Sequence, residues 1–208
     1  AVQAERDLGE TLAAELRLAT RIADEPELRE WVRSICGRLN QKVELPGIHY
    51  RCEITGEEHP TAIGLPGGYL FLSRSLIDLC ERNEDEIAFV VAHETGHLLR
   101  RHTWDRLIQQ SALRAASFAA GRAGLLSGWI RQQGLPMLRS AHSKEFEFEA
   151  DKDGLAILRM AGYDPGGAIA FLRRIEALSG DPDVLGEYLA SHPAPGERIA
   201  RLEAASKE

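Results

Sequence analysis

Residues 89–102 read FVVAHETGHLLRRH, an apolar run into which His93, Glu94, His97 and His102 are set. A helix brings positions i and i+4 onto one face, so His93 and His97 project side by side with Glu94 one step around the same turn. Two imidazoles at that spacing can chelate one metal ion. The setting strengthens the reading, because Ile87, Val90, Val91 and Leu98 supply helical apolar spacing and no proline interrupts them. Burying such a face desolvates two imidazoles and a carboxylate, which is costly unless they are paired or metal-bound. Just upstream, NEDEIAF places Asn83 as the helix N-cap, with Glu86 three residues on, the spacing of a capping box.

Around this helix the chain reads as mostly helical with a small sheet, hence an α+β fold. ERDLGETLAAELRL (5–18) carries Leu8, Leu12 and Leu16 at helical spacing, and Leu28, Trp31, Ile35 and Leu39 repeat the pattern. IHYRCEIT (48–55) alternates like a strand, and TAIGLPGGYLFLSRSLI (61–77) reads as two strand segments around Pro66-Gly67-Gly68, a hairpin or bent edge strand, with a helix from Ser73 to Cys80. Beyond His102 the text is helical to about Leu126 and then loosens from Ser127 to Ser140, where a mobile loop is expected. Three helices follow: SKEFEFEADKDGLAILRMAG (143–162) with a glycine stop, DPGGAIAFLRRIEALS (164–179) and APGERIARLEAAS (194–206).

The 208 residues are 44% hydrophobic and 27% charged, ordinary globular composition, and one domain over 1–208 is expected. A formal charge of −7 with no Lys/Arg run argues against a nucleic-acid partner. The weakly polar stretch 111–130 is broken by Arg114, Arg122 and several glycines and reads as an Ala-rich amphipathic helix, not a membrane span. Cys36, Cys52 and Cys80 form no disulfide framework and no C-x-x-C pair, so buried thiols are expected, with one disulfide available to an exported chain. The numbering opens at Ala1 with neither an initiator methionine nor an apolar leader, which leaves the compartment open.

The H-E-x-x-H spacing is that of zincins, whose glutamate acts as general base toward the attacking water. A catalytic zinc needs a third protein ligand and an open position. The three-histidine pattern requires a glycine and a histidine where this chain has Arg100 and Thr103, so His102 reads as a surface histidine or one that orients a ligand. The alternative is an acidic residue from the later helix, where Glu147 and Asp151, or Glu145 and Glu149, share a face at i, i+4. Periodicity does not choose between these pairs. The small Ala150 between them permits close helix approach, and a ligand carboxylate with a second acid orienting a histidine makes chemical sense.

HETGH, followed by SKEFEFEAD and then by SHPAPGERIARL, resembles the gluzincin metallopeptidase family of the CAAX prenyl endopeptidases, the HtpX-type proteases and the bacterial periplasmic quality-control proteases. AIGLPGGYLFLSRSLI resembles the edge-strand segment of that family, and the two opening helices resemble its soluble branch. The resemblance implies a zincin-like domain with one zinc on His93, His97 and Glu147, Asp151 as the acid behind a ligand, and Glu145 and Glu149 merely solvated. It implies Glu94 as base, with His192 and Arg198 facing the site: either could stabilise an oxyanion, and His192 could instead close the fourth zinc position. It implies that Ala62, Ile63, Gly64 and Leu65 pair with an extended, unfolded polypeptide substrate. The implied activity is a zinc metalloendopeptidase of envelope quality control, periplasmic or on the outer side of a membrane, although composition alone also fits the cytoplasm. The alternative is a non-catalytic, chaperone-like zinc module. Two departures stand out: Lys144 replaces a frequent arginine, and Thr61 and Ile63 replace the outer residues of the usual N-A-F, which bears on substrate preference.

Overall fold

A computed structural model describes residues 2–43, 48–110, 128, 130–140, 142–192 and 195–206. The elements in chain order are α1 (Val2–Ala19), α2 (Pro26–Asn40), β1 (Arg51–Thr55), β2 (Ala62–Leu65), β3 (Tyr69–Ser73), α3 (Arg74–Leu79), α4 (Glu84–Leu99) and α5 (His102–Gln110). A π-helical turn (Ile130–Gly134) runs into α6 (Leu135–Leu138), followed by α7 (Lys144–Ala161), α8 (Gly166–Leu178), α9 (Pro182–Ser191) and α10 (Gly196–Ala205). This is the expected mostly helical α+β architecture.

The three strands are ordered β1-β3-β2. β2 and β3 form the hairpin read from the sequence, its turn carried by Gly67 and Gly68 at φ of 80° and 90°, a region that favours glycine. β1 joins β3 in parallel, with Cys52 opposite Leu70. Alternation along the strands divides the apolar side chains. Cys52, Ile54, Ala62, Leu70 and Leu72 join the core built around α2, α4, α7 and α8. Ile63, Leu65, Tyr69 and Phe71 face Leu8, Leu12 and Leu16 of α1.

Every residue of α4 from Glu86 to Leu98 is buried, because α2, α5, α7, α8 and the sheet surround it. Asn83 caps it, its side chain accepting the Glu86 N–H. The capping box is only half made, since the Glu86 carboxylate accepts from Arg174 of α8 at 2.9 and 3.1 Å. α7 is capped by the Ser143 side chain and stopped by left-handed Gly162. Where α4 and α7 cross there is no room for a side chain on either helix. A Cβ on Gly96 would lie 2.9 Å from the Ala150 carbonyl oxygen, and one on Gly154 would lie 3.1 Å from the His93 nitrogen.

The loose stretch expected from Ser127 to Ser140 is corrected over its described part, which is helical from Ile130 to Leu138. Ile130, Leu135 and Leu138 bury themselves against α1 and β2, which holds the segment in place despite Gly134 and Pro136. Ser127 and most of the helix expected up to Leu126 lie outside the described residues, as does the greater part of the Ala-rich stretch. Among the described residues no helix is long and apolar enough to cross a membrane. Cys36, Cys52 and Cys80 are buried free thiols.

Candidate metal centre

The α4/α7 crossing brings three ligand-type groups to one point. His93 Nε2 and His97 Nε2 are 3.1 Å apart, Glu147 Oε1 is 3.2 Å from His97 Nε2, and Glu147 Oε2 is 3.5 Å from His93 Nε2. All three residues are at most 2% exposed. Ligands at about 2.0–2.1 Å from a tetrahedral zinc stand roughly 3.3 Å from one another. The donor set fits that ion in type, separation and burial. His192 completes a group of four, with ligand atoms all within 4.8 Å of one another.

Each member is held from behind. His93 Nδ1 lies 2.9 Å from Asp151 Oδ1, and Asp151 accepts two hydrogen bonds of 2.7 Å from the Arg198 guanidinium. The third Arg198 nitrogen, Nη1, is 2.9 Å from Glu147 Oε2. Burial opposes ionisation of Asp151, but the Arg198 charge and hydrogen bonds outweigh it and hold the carboxyl down at about 2. Glu147 is similarly held well below the usual carboxylate range, burial being overcome by His192 and Arg198. Arg198, one of the two residues offered by the sequence to an oxyanion, here donates to two carboxylates, and in that arrangement it positions Asp151 and Glu147.

Removing that guanidinium would leave two buried carboxylates with histidine partners only. Arg198→Met should destabilise the metal-free protein by about 3–5 kcal/mol, the range for breaking a buried ion pair. Urea denaturation in a chelating buffer measures it, and a loss under about 1 kcal/mol would show that solvent reaches the pair.

Glu94 faces the sheet. Its Oε2 accepts the Gly64 N–H at 2.8 Å, and its Oε1 is 3.3 Å from His192 Nε2. The hairpin register explains this contact. Ser73 N donates to Thr61 O, which makes 61, 63 and 65 the positions bonded to β3 and turns the main-chain groups of Ala62 and Gly64 outward. Gly64 commits its outward groups to Glu94 and, through its carbonyl, to Thr103 Oγ1 at 3.3 Å. Ala62, the other outward-turned position, lines a cleft of about 180 Å³ together with Arg139 and Glu187, which pair at 3.1 Å.

His192 follows α9 and bridges two acids, with Nδ1 at 3.2 Å from Glu147 and Nε2 toward Glu94. Burial disfavours its cationic form, but the charges and hydrogen bond of these carboxylates win and raise its pKa. His97 behaves oppositely: complete burial brings it down to about 4, against a smaller lift from Glu147.

Two histidines stand close by. His142, directly before the Ser143 cap, stacks on His97 with ring centroids 4.1 Å apart, and its buried Nδ1 has no hydrogen-bond partner among the described residues. Sequence reasoning missed it, the only signal being its place one residue ahead of an acidic helix. His102 is buried, with Nδ1 3.0 Å from His97 Nδ1 and Nε2 3.1 Å from Glu149. Glu145 is exposed as expected, whereas the expectation that Glu149 is merely solvated is corrected by this contact.

The sequence pattern of Peptidase family M48 matches residues 26–206. The chain is 27% identical over 177 residues to mitochondrial metalloendopeptidase OMA1 of Schizosaccharomyces pombe, covering 83% of this chain and 51% of that one. It is 32% identical over 167 residues to OMA1 of Saccharomyces cerevisiae, covering 76% and 47%. It is 26% identical over 213 residues to the beta-barrel assembly-enhancing protease of Escherichia coli K12, covering 94% and 42%. The chain thus spans about half the length, or less, of these curated relatives.

Proposed function

The chain belongs to peptidase family M48, and from that membership we propose that it is a zinc metalloendopeptidase acting on unfolded polypeptides. The observation that carries the reading is the 3.1–3.5 Å triangle of His93, His97 and Glu147 with Glu94 beside it. Zinc bound there supplies Lewis acidity, polarising a peptide carbonyl and bringing the pKa of water toward ~7.

The chain's own residues do the rest. Glu94 accepts the proton of the attacking water and passes it to the leaving amine. Its carboxylate is aimed by the Gly64 N–H, so the strand beside the substrate also orients the base. His192, whose Nε2 faces Glu94 and is released from it once that carboxylate takes up the water's proton, is the donor we assign to the developing oxyanion, a contribution typically worth about 3 kcal/mol. Ala62 offers the outward main-chain groups with which an extended substrate would pair, while Ile63 and Leu65 stay bonded to β3 and Gly64 to Glu94. Main-chain pairing selects extended chains over folded ones. The name of one relative, a beta-barrel assembly-enhancing protease, is in keeping with a role in quality control at the cell envelope, and the whole of residues 1–208 is assigned to this one peptidase domain.

One observation favours a second reading. His192 lies in the same 4.8 Å group, so four protein ligands could close the ion off as in a structural site, leaving a zinc-containing binding module for unfolded chains. Elemental analysis together with digestion of a permanently unfolded polypeptide decides. One zinc per chain, with cleavage lost on chelation and restored by zinc, supports the peptidase. Stoichiometric zinc without cleavage supports the binding module, and absence of stoichiometric zinc would overturn both.

A further inference from the structure

His102 stands five residues beyond His97. In a continuous helix that offset lies about 140° around the axis, pointing away from the site. The chain does not continue. α4 ends at Leu99, Arg101 takes a left-handed backbone at φ of 59°, and α5 begins at His102. This break turns the His102 ring back onto His97. Three contacts then fix it: Phe146 stacks on its face at 4.0 Å with planes 7° apart, Glu149 meets Nε2 at 3.1 Å, and Nδ1 meets His97 Nδ1 at 3.0 Å. The stack also accounts for Phe146, one of the few large apolar residues left exposed.

Two imidazole nitrogens at 3.0 Å share one proton, since two lone pairs would repel and two N–H groups would clash. A carboxylate accepts only, so Glu149 takes the proton on His102 Nε2. The Nδ1 of neutral His102 is then the acceptor, and His97 must carry its proton on Nδ1. Its Nε2 is left with a free lone pair facing His93 Nε2 at 3.1 Å and Glu147 Oε1 at 3.2 Å, a meeting of acceptors that a bound cation, not a shared proton, would reconcile. We propose that His102, itself held by Glu149, is a positioning residue that fixes the tautomer and ring plane of His97 for metal binding. His93 is served by a direct carboxylate, Asp151, and His97 by a carboxylate acting through a second imidazole. The inference rests on the proposed ligand set of His93, His97 and Glu147.

Zinc affinity, measured by competition with a chromophoric chelator, tests it without reference to activity. Partners behind metal-ligating histidines typically contribute roughly 10–100-fold in metal affinity, and His102→Ala and His102→Phe should both lose that much. The phenylalanine variant keeps the stack on Phe146 while removing the acceptor, so it separates packing from hydrogen bonding. His102→Asn retains an acceptor near the Nδ1 position and should stay within about threefold of the parent. The proposal is overturned if His102→Phe binds zinc as tightly as the parent, or if His102→Asn is as weak as His102→Ala. Should the position-102 variants not fold, Glu149→Ala, at a half-exposed site, decides: a several-fold loss supports the chain of contacts and an unchanged affinity overturns it. Nitrogen-15 NMR of the zinc-loaded protein should show His97 protonated on Nδ1 and His102 protonated on Nε2, and a His102 carrying its proton on Nδ1 instead would sink the idea. His97→Ala is the control for the underlying reading. Full zinc binding by that variant would refute the ligand set itself, whereas its loss beside intact position-102 variants would refute the relay alone.

Discussion

Glu94→Gln should lower cleavage of an unfolded polypeptide by roughly 10²–10⁴-fold, the range for removing a general base, while the protein still carries one zinc per chain. The substitution is close to isosteric, and a glutamine oxygen can still accept the Gly64 N–H that the carboxylate Oε2 accepts at 2.8 Å. The hairpin, the helix and the three proposed ligands therefore keep their places, and besides proton acceptance the variant alters the contact of Glu94 Oε1 with His192 Nε2. Zinc content by elemental analysis and turnover under single-turnover conditions separate the two effects. Turnover within about tenfold of the parent would rule out Glu94 as the base. Loss of zinc would show that it belongs to the metal's own coordination.

Glu147→Ala should abolish stoichiometric zinc. It removes the one carboxylate among the four grouped ligand atoms and leaves Arg198 Nη1, at 2.9 Å, and His192 Nδ1, at 3.2 Å, facing an empty space. Three imidazoles and a guanidinium balanced by Asp151 alone then surround the position of a dication, which is unfavourable on charge. Glu149→Ala, two positions along the same helix, should still fill with one zinc at saturating metal, with the weaker affinity argued above. If instead Glu149→Ala emptied the site and Glu147→Ala did not, the third ligand would have been misassigned.

The contrast between those glutamates shows what the sequence could and could not reveal. His93 and His97 were legible because their juxtaposition is a property of one helix, and the Asn83 cap was legible for the same reason. Glu147 with Asp151 and Glu145 with Glu149 both satisfy the i, i+4 rule, so local geometry is silent between them. The choice is made by which face of α7 meets α4, a tertiary fact fixed at Gly96 and Ala150. Resemblance supplied it where periodicity could not. Glu86 illustrates the reverse error: its spacing suggested a capping box, but the long-range Arg174 competes successfully for its carboxylate. The helical turns from Ile130 to Leu138 were misread because glycine and proline signal a loop, while the burial of Ile130, Leu135 and Leu138 against α1 is visible only once α1 is in place. The parallel pairing of β1 with β3 leaves no local mark, since strand order is not written in alternation.

The crossing of α4 and α7 has a consequence for the history of such a chain. Gly96 and Gly154 donate nothing to the site, yet a single methyl group on Gly96 would meet the opposite backbone at 2.9 Å and push the two halves of the ligand set apart. Their smallness serves the packing whether or not an ion is bound. In descendants that lose the chemistry, the histidines and Glu147 are free to drift while the small residues at 96, 150 and 154 stay fixed by the fold. A lineage that had given up the proposed peptide hydrolysis would thus keep the imprint of its lost site in residues that never touched it.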